Sequence, residues 1–169
     1  FAEKWGFTRA YGSYEEMLED PEVELVYVAS PHSHHYVHTK MCLEHGKHVL
    51  VEKAFTVNAI QARELIEMAE EKGLLLTEAI WTRYMPSRKM IDDLVESGVI
   101  GKVTSLTANL GYVLPHVERL QKPELAGGAL LDLGVYPINF AMMVFHESVE
   151  KVTSCAVMSP LGIDWTNSI

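Results

Sequence analysis

Four short segments hold the residues that could do chemistry. Ser30-Pro-His-Ser-His-His35, Glu52-Lys53-Ala54 and Glu78-Ala-Ile-Trp-Thr-Arg83 each gather polar and charged groups directly after an apolar run. In the fourth, Asp132-Leu-Gly-Val-Tyr136, the i,i+4 spacing puts a carboxylate and a phenol on one helical face. Gly127-Gly128 stands just before it and permits close backbone approach to a neighbour or ligand. Carboxylate, ammonium, phenol and imidazole are the side chains that move protons for a reacting substrate. Each segment alone also has a plainer reading: Asp132 caps its helix, Tyr136 is half-buried core, and Glu52 only pairs with Lys53.

His32, His34, His35 and His38 crowd into seven residues, and His34 and His38 share a helical face at a spacing that can bind zinc. The sequence brings no carboxylate or cysteine beside them. The expectation is therefore solvated or substrate-facing imidazoles and no metal.

The elements that position these segments follow from periodicity and punctuation. Ser13 and Glu16 form a capping box that starts a short helix ending by Pro21. Val23–Ala29, Lys47–Val51 and Leu74–Thr77 read as buried strands. Helices are expected between them, one from His34 to His45 closed by Gly46, the next capped by Asn58 and ended by Gly73. Strand, helix, strand, helix, strand implies a parallel sheet with right-handed crossovers, and ligands in such sheets lie at the carboxyl ends of the strands. The first three segments open onto that one edge. Beyond a seam near Ala79–Arg83 the period changes. A helix is expected over 85–97, an alternating strand over Val103–Tyr112, a helix from Leu130 to Phe145 and a further strand over Val149–Val157. The last residues, Asp164–Ile169, read as a strand beginning or continuing, so the chain looks like a segment of a longer protein.

Composition bounds the function classes. The 169 residues are 48% hydrophobic and carry a formal charge of −9. Such an acidic surface disfavours nucleic acid and anionic membranes. No apolar run approaching the roughly 20 residues of a membrane-spanning helix is expected, nor is a secretory signal visible. Two cysteines, Cys42 and Cys155, suit a reducing compartment, so a cytoplasmic location is the expectation.

Taken together, Pro31-x-x-x-His35, Glu52-Lys53, Glu78-Ala-Ile-Trp-Thr-Arg-Tyr84 and Gly127-Gly-Ala-Leu-Leu-Asp-Leu-Gly-Val-Tyr-Pro137 resemble the Gfo/Idh/MocA oxidoreductases. Within that family they are most similar to the branch of dimeric dihydrodiol dehydrogenases and NADP-dependent xylose dehydrogenases. The resemblance covers essentially the whole chain, with four motifs in order. It implies an α/β fold: a partial Rossmann-like parallel sheet over residues 1–80, followed over 81–169 by part of an α+β domain with a mostly antiparallel open sheet. It implies hydride transfer between NADP or NAD and a polyol, aldose or diol, and a homodimer when the protein is full length. Lys53, Asp132 and Tyr136 are the catalytic residues it assigns. Ser30, Pro31, His35, Glu52 and Lys53 would line the cofactor's ribose and nicotinamide, with Trp81 and Arg83 closing over it. Tyr112, His116 and Arg119 would shape specificity.

The allocation makes physical sense. A free tyrosine titrates near 10, too high for a base at neutral pH. An ammonium such as Lys53 a few ångströms away is expected to lower Tyr136 and to polarise the substrate oxygen. Two positions depart from the family pattern. Ala54 stands where most relatives have proline, and no G-x-G-x-x-G occurs in these residues, so on their own they are expected to bind dinucleotide poorly. The alternative to an enzyme is a regulatory dinucleotide-binding member of the same fold, and a further one is a metal-dependent hydrolase built on the histidines. Retention of both Lys53 and Tyr136 favours the enzyme.

Overall fold

Val26, Val28, Val49 and Val51 are apolar at alternate positions of two short runs, and all four are buried at the centre of a three-stranded sheet. The computed structural model describes residues 1–146 and 148–169. Its strands β1 (Leu25–Val28), β2 (His48–Val51) and β3 (Leu76–Glu78) lie parallel in that order. Val28, Val51 and Glu78 stand in register, so all three strands end at one edge.

Two short helices, α1 (Ala2–Trp5) and α2 (Tyr14–Glu19), precede the sheet, and the crossovers are α3 (His32–Glu44) and α4 (Ala59–Lys72). Leu43 and Leu65 from the crossovers and Leu18 from α2 pack against the valines. Ser13 caps α2 by accepting from the Glu16 N–H, while the Glu16 carboxylate accepts from the Gly12 N–H, one residue earlier than a standard capping box. Asn58 accepts from Ile60 and Gln61 to start α4, and Gly73 closes it in the left-handed conformation that glycine adopts without cost. α3 begins at His32, two residues before the expected start, because Pro31 occupies its N-cap. On the opposite sheet face Leu25 and Tyr27 are half exposed.

The second region begins with a 3₁₀ turn, Trp81–Tyr84, and helix α5 (Pro86–Glu96). After two further 3₁₀ turns, a π-type turn at Leu130–Gly134 runs directly into α6 (Val135–Phe145). A hairpin of β4 (Cys155–Met158) and β5 (Asp164–Ser168) follows, antiparallel. Two expected strands change. Val103–Tyr112 joins neither sheet; alternation fixes which way side chains point, but a strand exists only where a partner accepts its ladder hydrogen bonds. The strand expected over Val149–Val157 shortens to β4, where β5 supplies those bonds.

The expectation that no apolar run reaches membrane-spanning length is also corrected. Pro123–Phe145, 23 residues, is long and apolar enough by length and composition. In the fold this stretch is broken by left-handed Ala126 and carries Asp132, committed to two cations.

Candidate functional site

Lys53 leaves the carboxyl edge of the sheet one residue beyond Glu52 and reaches across to the second region. Its Nζ donates to the Asp132 carbonyl oxygen at 2.6 Å and to Asp132 Oδ1 at 3.0 Å. The local chemistry explains why a helical carbonyl is available there. Within a π-type turn its partner would be the N–H five residues on, and residue 137 is proline, which has none. Lys53 supplies the donor instead.

Asp132 is 5% exposed and collects more than Lys53. Arg119 Nη2 donates to Oδ1 at 3.2 Å, and His32 Nε2 stands 4.0 Å from the same oxygen. Burial works against ionising this carboxyl, yet the hydrogen bond and charge of Lys53, then those of Arg119, outweigh it and hold Asp132 below its ordinary 3.8. His32 Nδ1 lies 3.0 Å from the Ala126 carbonyl oxygen. A carbonyl only accepts, so Nδ1 carries the proton, and burial pushes the His32 pKa below its usual 6.5.

Tyr136 lies one turn beyond Asp132 on the same face. Lys53 Nζ sits over its ring, 5.2 Å from the centroid. The Trp81 indole N–H donates to the Tyr136 oxygen at 2.9 Å. The expected lowering of Tyr136 by Lys53 does not occur. Burial raises its pKa above 10; the Trp81 bond opposes this, but Glu52, Asp132 and Glu78 add negative charge nearby and push the same way as burial. Lys53 is engaged by Asp132 and sits over the Tyr136 ring. Tyr136 therefore keeps its proton, and its oxygen already accepts from Trp81.

Lys53, Trp81 and Tyr136 form the polar end of a cavity of about 690 Å³. Met85, Leu133 and Phe140 give it much apolar lining, and Tyr112, Asn109 and Arg88 line it as well.

Several other expected residues do not line this cavity. Ser30 and Pro31 turn into α3: the Ser30 hydroxyl meets His38 Nδ1 at 3.0 Å, and Pro31 is the N-cap. His35 is fully buried and bridges the Ala54 and Ser30 carbonyl oxygens at 2.6 and 2.8 Å, tying two loops together from behind. Glu52 accepts from the Tyr27 hydroxyl and from the Lys53 N–H. Arg83 and His116 are exposed and do not line the cavity. Arg119, expected to shape specificity, pairs with Asp132. His32 and Asp164, whose carboxylate caps Leu130, were not singled out as site residues. The adjacent glycines 127 and 128 were the one sequence signal near them. Among the described residues no group of three or more His, Cys, Asp or Glu side chains is placed to hold a metal.

Known proteins carry the same plan. Residues 1–80 match the family described as "Oxidoreductase family, NAD-binding Rossmann fold", and residues 89–161 match "GFO/IDH/MocA C-terminal domain". The chain is 48% identical to D-xylose 1-dehydrogenase (NADP(+)) of Hypocrea jecorina over 82% of its length and 38% of that protein. It is 39% identical to mouse trans-1,2-dihydrobenzene-1,2-diol dehydrogenase over 100% of its length and 51% of that protein. Among solved structures, a single-residue variant of KijD10, a 3-ketoreductase from Actinomadura kijaniata in complex with TDP-benzene and NADP, superposes with a TM-score of 0.85. The two are 30% identical over 99% of this chain and 52% of that one. The chain thus spans about half the length of the relatives it matches, or less. With both family domains matched in order and the parallel sheet in place, the chain belongs to the Gfo/Idh/MocA family of NAD(P)-binding oxidoreductases.

Proposed function

We propose that the full-length protein carrying this chain is an NAD(P)-dependent dehydrogenase. It would transfer hydride between the cofactor and the carbinol or carbonyl carbon of a polyol, aldose or diol. The observation that carries this reading is the arrangement of Lys53 and Tyr136, from two different regions, at the polar end of one cavity. The donor set at the sheet edge fits the ribose and nicotinamide end of such a cofactor: Glu52 offers a carboxylate, Lys53 an ammonium and Trp81 a flat apolar ring. When bound, the nicotinamide supplies the hydride or accepts it.

The chain's own residues do the rest. In the reducing direction Tyr136 Oη gives its proton to the oxygen of the substrate carbonyl, and a raised pKa keeps that proton in place until it is needed. Lys53 stabilises the negative charge that develops on that oxygen. Asp132 fixes Lys53 by two hydrogen bonds and prevents it from swinging into solvent. In the oxidising direction Tyr136 receives the proton, for which its phenolate must first form.

The similarity to xylose and dihydrodiol dehydrogenases supports these substrate classes, and the NADP named for the first relative supports NADP over NAD. A homodimer is the assembly we propose, since the β4–β5 hairpin leaves every residue of β4 exposed. The cytoplasm is the proposed location, in keeping with two unpaired cysteines. The test is absorbance at 340 nm when full-length protein meets NADP or NAD with a panel of aldoses and trans-diols. Turnover is expected; cofactor binding without turnover on any substrate would instead indicate a regulatory binder.

A further inference from the structure

The catalytic helix begins against a residue of the distant hairpin. The N–H of Leu130, two residues before Asp132, donates to Asp164 Oδ2 at 2.6 Å, and the Asn167 side-chain amide donates to the same oxygen. Asp164 follows a locked turn: the Ser159 hydroxyl accepts from the N–H groups of Leu161 and Ile163 at 3.1 and 3.3 Å. The carboxylate also fills the space beside Gly128. A Cβ there would stand 2.1 Å from Asp164 Oδ1, and the backbone is at φ +111°, which side chains rarely adopt. On the other side, a Cβ at Gly127 would stand 2.5 Å from the Leu120 carbonyl oxygen, in the turn that carries Arg119. The two glycines are thus pressed between the turn that supplies Arg119 and the hairpin that supplies Asp164.

We infer that Asp164 is a positioning residue for the reaction: from β5 it caps the helix that carries Asp132 and Tyr136 and sets how far those side chains reach toward Lys53. The first N–H groups of a helix lack intrahelical acceptors, and a carboxylate is the favoured partner for them. The π-type turn Leu130–Gly134 is followed within three residues by Pro137, which donates no backbone N–H, so the start of the helix depends more on an outside anchor. No residue of the first turn caps itself with its own side chain. Asp164 acts through Leu130 and touches none of the reacting groups.

The catalytic arm of the test rests on the dehydrogenase reading; the structural arm does not. In the full-length protein, Asp164→Ala is expected to lower kcat about tenfold or more while KM for cofactor stays within about twofold. Asp164→Asn, which keeps an acceptor oxygen, is expected to recover most of the rate. Gly128→Ala, which intrudes on the carboxylate from the other side, is expected to lose kcat as well. Hydrogen exchange of amides 130–136 should speed up in Asp164→Ala and in Gly128→Ala, and much less in Asp164→Asn. Should Asp164→Ala not fold, the Asn and Gly128 variants carry the comparison. Unchanged kcat and unchanged amide protection would overturn the inference. So would loss of thermal stability with kcat intact, the mark of a merely structural contact. A wild-type protein without turnover would refute the dehydrogenase reading alone, leaving hydrogen exchange to decide the role of Asp164.

Discussion

Lys53 and Asp132 are 79 residues apart in sequence and meet twice, once through the carboxylate and once through the main-chain carbonyl. The first contact would survive a change of helix geometry; the second depends on a carbonyl whose π-type partner is a proline. This pair joins the parallel sheet to the second region at the point where chemistry is proposed. Beside it Tyr136 remains a protonated phenol, chiefly because burial raises its pKa above 10.

Removing one member of so enclosed a pair leaves the other charged and poorly solvated. Asp132→Ala is expected to destabilise the protein by about 3–5 kcal/mol. The double variant with Lys53→Met should cost less than the sum, with a coupling of about 0.5–3 kcal/mol. Chemical denaturation of the four proteins of the cycle measures it, and strict additivity would refute the contact.

Tyr136→Phe removes the phenol proton and, with it, the oxygen that accepts from the Trp81 N–H. Turnover is expected to fall about 10²- to 10⁴-fold, while cofactor affinity, read by quenching of tryptophan fluorescence, is unchanged.

The raised pKa of Tyr136 separates the two directions of reaction. Its acid form holds through neutral and mildly alkaline pH, so carbonyl reduction should be flat there and decline only above pH 10. Alcohol oxidation needs the base form and should rise with pH across the same interval. Rates in both directions from pH 6 to 11 test this; identical profiles would argue against Tyr136 as the proton carrier.

His32 and His38 both have pKa values lowered by burial, His38 further by the charges His34 and His35 would carry. A lowered pKa in the folded state means that the unfolded chain binds the proton more readily. Their contribution to stability is present above pH 6.5 and is lost as pH falls through the folded values. Thermal melts between pH 8 and 5 should therefore show declining stability, with a shallower slope in His32→Gln.

Leu65 is fully buried between α4 and the sheet. Leu65→Ala is expected to cost about 2–5 kcal/mol in unfolding experiments, the usual range for emptying such a site.

What the sequence determined by itself is local. Alternating valines, the Asn58 cap and the Gly73 terminator set strands and helices because these signals act over a few residues, and strand–helix alternation led to a parallel sheet whose strands end at one edge. The i,i+4 spacing placed Asp132 and Tyr136 on one face for the same reason. Tertiary structure alone decided the rest. Val103–Tyr112 has the strand pattern without a partner, and pairing is a property of two segments. Lys53 was expected to lower the Tyr136 pKa; burial of the phenol raises it instead, and burial belongs to the packed fold. Asp164 came to the helix start from 34 residues away, announced only by a glycine with no room for a side chain. Electrostatic balance and close approach depend on distances through space, and a linear pattern does not encode them.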